Sequence, residues 1–190
     1  MRLFSFRPAF ATRGREFHGL RGLAGKPLHP PLTDIPVGAY VLAAAFDVIS
    51  VATSGALAHD LYRASTFVLI GGGAVSLVTA ATGVADWVGS TPRRTQAWRT
   101  VNAHALVMVT VTLLVLALIA LRVTTYADEP STPILVLVLS VLVATFTTFG
   151  AAIGGSLVYD YGFNVETAGD SPVWHESETD LLPSDKEAGR

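Results

Sequence analysis

Four long apolar stretches dominate this sequence. A membrane hydrocarbon core about 30 Å thick requires roughly 20 apolar residues of helix, and the stretches at residues 35–57, 64–88, 101–121 and 134–153 are long enough. Of the 190 residues, 51% are hydrophobic and only 15% are charged, which is unusual for a soluble domain. The sequence therefore predicts an all-α, four-span transmembrane helix bundle in a lipid bilayer.

Charge and hydropathy divide the chain into three parts. Residues 1–24 form a basic N-terminal segment, residues 25–165 contain the predicted membrane domain, and residues 166–190 form an acidic tail that we expect to be disordered. The net charge of −2 argues against a nucleic-acid partner, because such proteins usually carry a basic surplus. The absence of cysteine excludes thiolate metal sites and a cysteine nucleophile.

The Lys and Arg residues indicate an orientation. Eleven of the thirteen fall on one side of the predicted spans, and the other side has only Arg63 and Arg122. The positive-inside rule then places both termini in the cytoplasm. We therefore expect a multi-pass protein of the bacterial inner (plasma) membrane.

Ionisable and hydrogen-bonding residues gather at the cytoplasmic end of the predicted bundle. His104 lies just inside the third span, Asp86 is in the last turn of the second, and Tyr159 follows the fourth. His29 and Asp34 precede the first span at the same end. This convergence predicts a polar pocket there.

Other polar residues are expected to face the interior, because lipid offers them no hydrogen bonds. Thr82 shares one helical face with Thr79, Gly83 and Asp86. Asp47 lies deep in the first span, where an aspartate facing lipid costs about 2.5 to 3.5 kcal/mol. Asp34, Asp47 and Thr82 are accordingly predicted to be buried, with Asp47 either protonated or partnered.

Prolines surround His29 in the stretch GKPLHPPLTDIP, residues 25–36. Because a residue before proline is disfavoured in the helical region, we expect an extended Pro-rich segment that holds the imidazole over the pocket. Thr33 or Asp34 would then cap the first helix, with Pro36 in its first turn.

Several motifs together resemble the family called domain of unknown function 2231. They are GKPLHPPLTDIPVGAYVLAAAFDV (25–48), TGVADW (82–87), Arg93-Arg94 followed by HALV (104–107), and GGSLVYDYGFNV (154–165). The resemblance implies a four-helix integral membrane protein. Some relatives are joined to a Rieske-type iron–sulfur domain, which implies a redox setting for those members, but Rieske ligands do not occur here. The family's opening motif usually reads Gly-His-Pro-x-His-Pro, and this chain has Lys26 at the first histidine position and His29 at the second.

Three functional interpretations follow. The first is a redox-associated subunit that binds haem b or a quinone at the pocket, with His29, His104, Asp86 and Tyr159 as candidate cofactor-binding residues and a redox protein as partner. The second is a divalent-metal site formed by His29, His104 and Asp86. The third is a non-enzymatic carrier, proton path or scaffold in which His104 and Asp86 form a structural hydrogen bond and Asp47 is either structural or relays protons.

The sequence does not indicate whether the protein is an enzyme, since it contains no phosphate-binding loop and no nucleophile–base pair. Glycines at 71–73, 150 and 154 suit close helix packing, and they predict a homo-oligomer formed through glycine faces.

Overall fold

The computed structural model describes residues 3–12, 14–166, 169, 172–174, 178 and 180. It contains a single-turn helix α1 (Arg7–Phe10) and four long helices, α2 (His29–Ala52), α3 (Gly55–Ser90), α4 (Gln96–Thr124) and α5 (Ile134–Tyr159). Each of the four long helices is long and apolar enough to cross a membrane. The prediction of an all-α, four-span bundle is therefore confirmed.

The segment before α2 is a small hairpin. After a 3-10 turn at Gly19–Arg21, strands β1 (Gly22–Leu23) and β2 (Lys26–Pro27) pair antiparallel, and Phe17 makes an isolated bridge to Leu23. We refer to residues 17–27 as the N-terminal hairpin. One residue, Leu28, connects it to α2.

Helix α2 begins six residues earlier than predicted. Extended backbone is limited to β2, and His29 is already helical. Pro30 and Pro31 are tolerated because they lie in the first turn, where backbone N–H groups have no intrahelical acceptor. Pro36 is therefore inside the helix rather than at its start, and Thr33 donates to the Pro30 carbonyl oxygen at 2.6 Å instead of capping the helix.

Helix α3 is also longer than the predicted span. Only Thr53 and Ser54 separate it from α2, so residues 58–63, predicted as a connection, are already helical. Hydropathy marks the part of a helix that lies in hydrocarbon, whereas a helix continues into water wherever its backbone bonds are satisfied. At the start of α4 the cap is Thr95, whose hydroxyl accepts a bond from the Trp98 N–H at 3.1 Å.

The long helices run up and down in sequence, and α5 closes the ring by packing on α2. We call the end of the bundle at which α2 and α4 begin the basic end, because Arg21, Arg93, Arg94 and Arg99 lie there. The end at which α2 and α4 finish is called the opposite end. Tyr40, Leu69, Val111 and Val143 belong to a fully buried core. Large apolar side chains such as Phe67, Leu106 and Leu113 are more than 60% exposed, which suits helices surrounded by lipid.

Four of the five glycines predicted to mediate helix packing do so within the chain, and Gly71 does not. Gly72 packs on Ala39 and Tyr40, and Gly73 on Ile119. Gly150 faces Met108. A homo-oligomer formed through glycine faces stays a prediction, and most of the predicted disordered tail lies outside the described residues.

Candidate functional site

His29 occupies the first position of α2 and reaches across to α3. Its Nδ1 lies 2.9 Å from the carbonyl oxygen of Thr79 and 3.4 Å from the hydroxyl of Thr82. A carbonyl oxygen can only accept, so Nδ1 carries the proton and donates. The ring packs directly on Gly83, where an added Cβ would lie 2.7 Å from the His29 Cε1 atom.

His104 repeats this arrangement on the other pair of helices. It lies in the third turn of α4, and its Nδ1 donates to the Gly150 carbonyl oxygen of α5 at 2.9 Å. A Cβ added at Gly154 would lie 2.9 Å from the His104 Cε1 atom. Each imidazole is thus held by a backbone carbonyl and a glycine on the neighbouring helix.

The two imidazoles face one cavity between the four helices. Their ring centroids are 6.1 Å apart, and the ring planes are nearly perpendicular, at 82°. The cavity has a volume of about 530 Å³ and is walled largely by apolar residues, among them Val37, Val101 and Met108. We call it the histidine cavity.

The hydrogen bonds fix the chemical character of both rings. A neutral imidazole that donates from Nδ1 has a lone pair on Nε2. Neither Nε2 has a hydrogen-bond partner among the described residues. Donation of the second ring nitrogen to a backbone carbonyl is the usual way in which a metal-binding histidine is oriented.

Asp86 lines the same cavity but is paired elsewhere. Its Oδ1 accepts a bond from the Asn164 side-chain amide at 3.1 Å and lies 3.6 Å from the Nε of Arg21. The predicted hydrogen bond between His104 and Asp86 is therefore wrong. Arg21 comes from the N-terminal hairpin, and no pattern in that irregular segment signals its approach.

The predicted divalent-metal site is not assembled. Among the described residues, no group of three or more His, Cys, Asp or Glu side chains is close enough to hold a metal ion. The histidines supply two nitrogens, while the carboxylate of Asp86 is engaged by Asn164 and Arg21.

The remaining predicted residues lie at different depths. Thr82 is 2% exposed and donates to the Thr79 carbonyl oxygen at 2.7 Å. Asp34 lines the cavity rim but is exposed, so its predicted burial is wrong; the early start of α2 places it in the second turn, on the outer face of the helix. Tyr159 also borders the cavity and is 87% exposed.

A second, polar cavity adjoins the first at the basic end. It has a volume of about 330 Å³ and is lined by residues of the N-terminal hairpin and of the segment after α5, including His18, Arg21, Asn164 and Glu166. Asp86 and Pro27 line both cavities. The hairpin is held in place by an ion pair between Arg15 and Glu166 and by a bond from the Glu166 N–H to the Gly25 carbonyl oxygen at 3.0 Å.

Asp47 lies far from these cavities, near the opposite end. It is fully buried and forms an ion pair with Arg122 of α4, and it also accepts a bond from the Thr132 hydroxyl at 3.0 Å. Asp47 was predicted to be either protonated or partnered, and in the structure it is partnered by Arg122. The sequence places Arg122 just beyond the third predicted span, on the same side as Arg63. Arg122 lies at that end, but it is inside α4 and buried.

The spacing of apolar residues in α4 indicates that Arg122 faces the interior of the bundle. Val111, Val115, Leu118 and Arg122 follow one another at three- and four-residue spacing, and all four are buried on one face of α4. The apolar run ends at Leu121, but α4 continues to Thr124, so the end of the run does not mark the end of the helix interior.

Fold and site together define a class: a multi-pass membrane protein whose four helices enclose a cavity with two imidazoles. A family model described as "Predicted membrane protein (DUF2231)" matches residues 25–167, about three quarters of the chain. The chain belongs to this family. Comparisons with curated proteins and with solved structures found no match.

Proposed function

We propose that this protein is a small redox-associated membrane subunit that binds haem b in the histidine cavity, with His29 and His104 as its two axial ligands. The observation that carries the proposal is the pair of imidazoles, each with Nδ1 donating to a backbone carbonyl and with centroids 6.1 Å apart. When bound, haem supplies one-electron redox chemistry.

The spacing of the rings fits two ligands of one metal. With metal–nitrogen bonds of about 2 Å, imidazoles on opposite sides of one ion have centroids roughly 6 Å apart. A perpendicular arrangement of the rings is compatible with this geometry, since each ring can rotate about its own metal–nitrogen bond. The Nε2 lone pairs of His29 and His104 are free to bind the iron.

The number of ligands favours haem over a free divalent ion. A porphyrin brings four nitrogens of its own and needs only one or two axial ligands from the protein. A zinc or iron ion bound by side chains alone takes three or four. Two imidazoles without a third ligand therefore suit haem.

The tautomer favours haem over an oxidised quinone. The carbonyl oxygens of a quinone accept hydrogen bonds, whereas a neutral imidazole with its proton on Nδ1 presents only a lone pair at Nε2.

The cavity volume, about 530 Å³, is within the range of roughly 300 to 1,000 Å³ that is usual for cofactor pockets.

The proposal includes a location. The excess of Arg at the basic end supports a cytoplasmic position for this end and for both termini, in the bacterial inner membrane. The exposed Arg93, Arg94 and Arg99 form a charged surface beside the cavity, where a redox partner protein with an acidic face would dock.

The test is an absorption spectrum of the detergent-solubilised protein, purified after expression with haem supplied and recorded oxidised and then reduced. We expect the spectrum of six-coordinate, low-spin haem with two imidazole ligands. His29→Ala and His104→Ala should each lose most of the haem or become high-spin, and added imidazole should restore the wild-type spectrum.

His59→Ala is the matched control. His59 is also half-buried and also interacts with a backbone carbonyl, that of Glu129 at 3.2 Å, but at the opposite end. Its haem content should be unchanged. A folded wild-type protein without haem, or normal haem in His104→Ala, would overturn the proposal; quinone found in a haem-free preparation would support the other cofactor predicted from the sequence.

A further inference from the structure

The histidine cavity and the polar cavity adjoin each other and differ in chemical character. They share Asp86 and Pro27 as walls. The inner end is apolar and holds the two imidazoles, while the outer end is lined by Arg21, His18 and Asn164. A ligand that fills both would be apolar at one edge and polar at the other.

Arg21 lines the outer end, and not all of its hydrogen-bond donors are used. A guanidinium has five N–H donors. Among the described residues, Arg21 makes one side-chain hydrogen bond, from Nη2 to the Ser90 hydroxyl. Its buried Nε has no acceptor within bonding distance, because the Asp86 oxygen is 3.6 Å away.

The acidic residues around Arg21 already have partners, and one of them, Asp86, is paired with Arg21 itself. Asp86 accepts a bond from Asn164, and Glu166 is paired with Arg15, whose side chain is 7% exposed. Gly89 lies against the guanidinium, with an added Cβ only 3.0 Å from Nη1, so the Arg21 head group is held against the end of α3. Spare donors on a fixed guanidinium favour an oxyanion, to which Arg binds with charge-assisted hydrogen bonds.

We infer that Arg21 binds a carboxylate of the cofactor and that the polar cavity receives the cofactor's carboxylate edge. This inference rests on the proposed function, since haem b is an apolar macrocycle with two carboxylates on one edge. The same donors would also bind the phosphate of an anionic lipid, so the shared chemistry is an oxyanion. The two sources are separated by experiment.

The experiment measures the affinity of the full-length, haem-free protein for haem and for haem dimethyl ester, in which both carboxylates are blocked. Wild-type protein should bind haem roughly tenfold more tightly than the ester, the size expected for one charge-assisted contact. Arg21→Gln should bind the two equally, with its affinity for the ester unchanged. Arg94→Gln, which removes an exposed arginine at the same end, should keep the wild-type preference.

The outcomes separate this inference from the proposed function. If wild-type protein binds neither compound, the proposed function fails. If it binds both with equal affinity, or if Arg21→Gln weakens both alike, haem binding stands and the role given to Arg21 is overturned. If phosphatidylglycerol abolishes the preference of wild-type protein for haem over its ester, the oxyanion is a lipid phosphate and the carboxylate assignment is overturned.

Discussion

Asp47 and Arg122 form an ion pair in which neither side chain is exposed. The Arg122 guanidinium also donates to the Thr66 hydroxyl at 3.0 Å and lies 4.9 Å from the centre of the Tyr62 ring. Asp47 receives a second bond from Thr132. The pair therefore links α2, α3, α4 and the loop before α5 in a region where lipid could satisfy none of these groups.

Removal of one partner should destabilise the protein strongly. Arg122→Gln leaves the Asp47 carboxylate buried without its counter-ion, and loss of one member of a buried pair typically costs about 3 to 5 kcal/mol. Asp47→Asn should behave similarly. The measurement is chemical or thermal unfolding in detergent. Arg63→Gln, an exposed arginine at the same end, is the control; equal stability of Arg63→Gln and Arg122→Gln would contradict a structural role for the pair.

Loss of the Ser50 hydroxyl should also lower the free energy of unfolding more than loss of a single hydroxyl usually does. Its Oγ donates to the Ala58 carbonyl oxygen at 2.8 Å and accepts from the Thr132 N–H at 3.0 Å, so it satisfies two backbone groups of different segments. Ser50→Ala leaves the Thr132 N–H without its acceptor in a buried position and removes the additional bond to the Ala58 carbonyl, at a cost of about 1 to 3 kcal/mol. Thr53→Ala removes a hydroxyl that bonds only within its own helix end and should change the free energy of unfolding little. No difference between the two variants would argue against this prediction.

The glycines under the histidines predict a specific defect. In Gly83→Ala the new methyl group would lie 2.7 Å from the His29 ring, so the imidazole must shift and its bond to the Thr79 carbonyl weakens. We expect haem content to fall several-fold. Gly71→Ala is the control, since nothing lies within 4 Å of its added methyl group, and it should be neutral or stabilising by up to about 1 kcal/mol. Full haem loading of Gly83→Ala would show that the ring position does not decide binding.

The orientation can be tested directly because the chain has no cysteine. Single cysteines at the exposed positions Arg94, at the basic end, and Asp60, at the opposite end, report the two sides. In intact spheroplasts a membrane-impermeant maleimide should label Asp60→Cys and not Arg94→Cys, and disruption of the cells should expose the second. Labelling in the reverse order would invert the proposed topology.

The number of spans and the general position of the site could be predicted from local sequence. An apolar run of 20 residues indicates by itself a helix in the hydrocarbon of a membrane. The spacing of Thr79, Thr82 and Asp86 predicts that they share one face of α3, and these three residues are 6%, 2% and 5% exposed. Helix bounds were less predictable. His29 was expected to be extended because prolines follow it, but a first helical turn tolerates prolines.

Partners across helices could not be predicted in this way. The sequence predicts that Asp47 is protonated or partnered, and the spacing of Val111, Val115, Leu118 and Arg122 places Arg122 on the inner face of α4. Neither pattern shows that Asp47 and Arg122 meet. Asp86 was matched with His104 because both lie at the same depth, yet depth along two helices does not say which faces meet. The irregular N-terminal hairpin brings Arg21 to Asp86, and no periodicity describes that path.

The sequence alone thus determined that the chain has four membrane-spanning helices and that His29, His104, Asp86 and Tyr159 lie at one end, because both properties depend on the hydropathy and spacing of neighbouring residues. The tertiary structure decided that His29 and His104 face each other across one cavity, that backbone carbonyls hold both rings, and that Arg122 neutralises Asp47. These relationships join residues 46 to 75 positions apart, and they depend on how the helices rotate and pack, which is a property of the whole bundle.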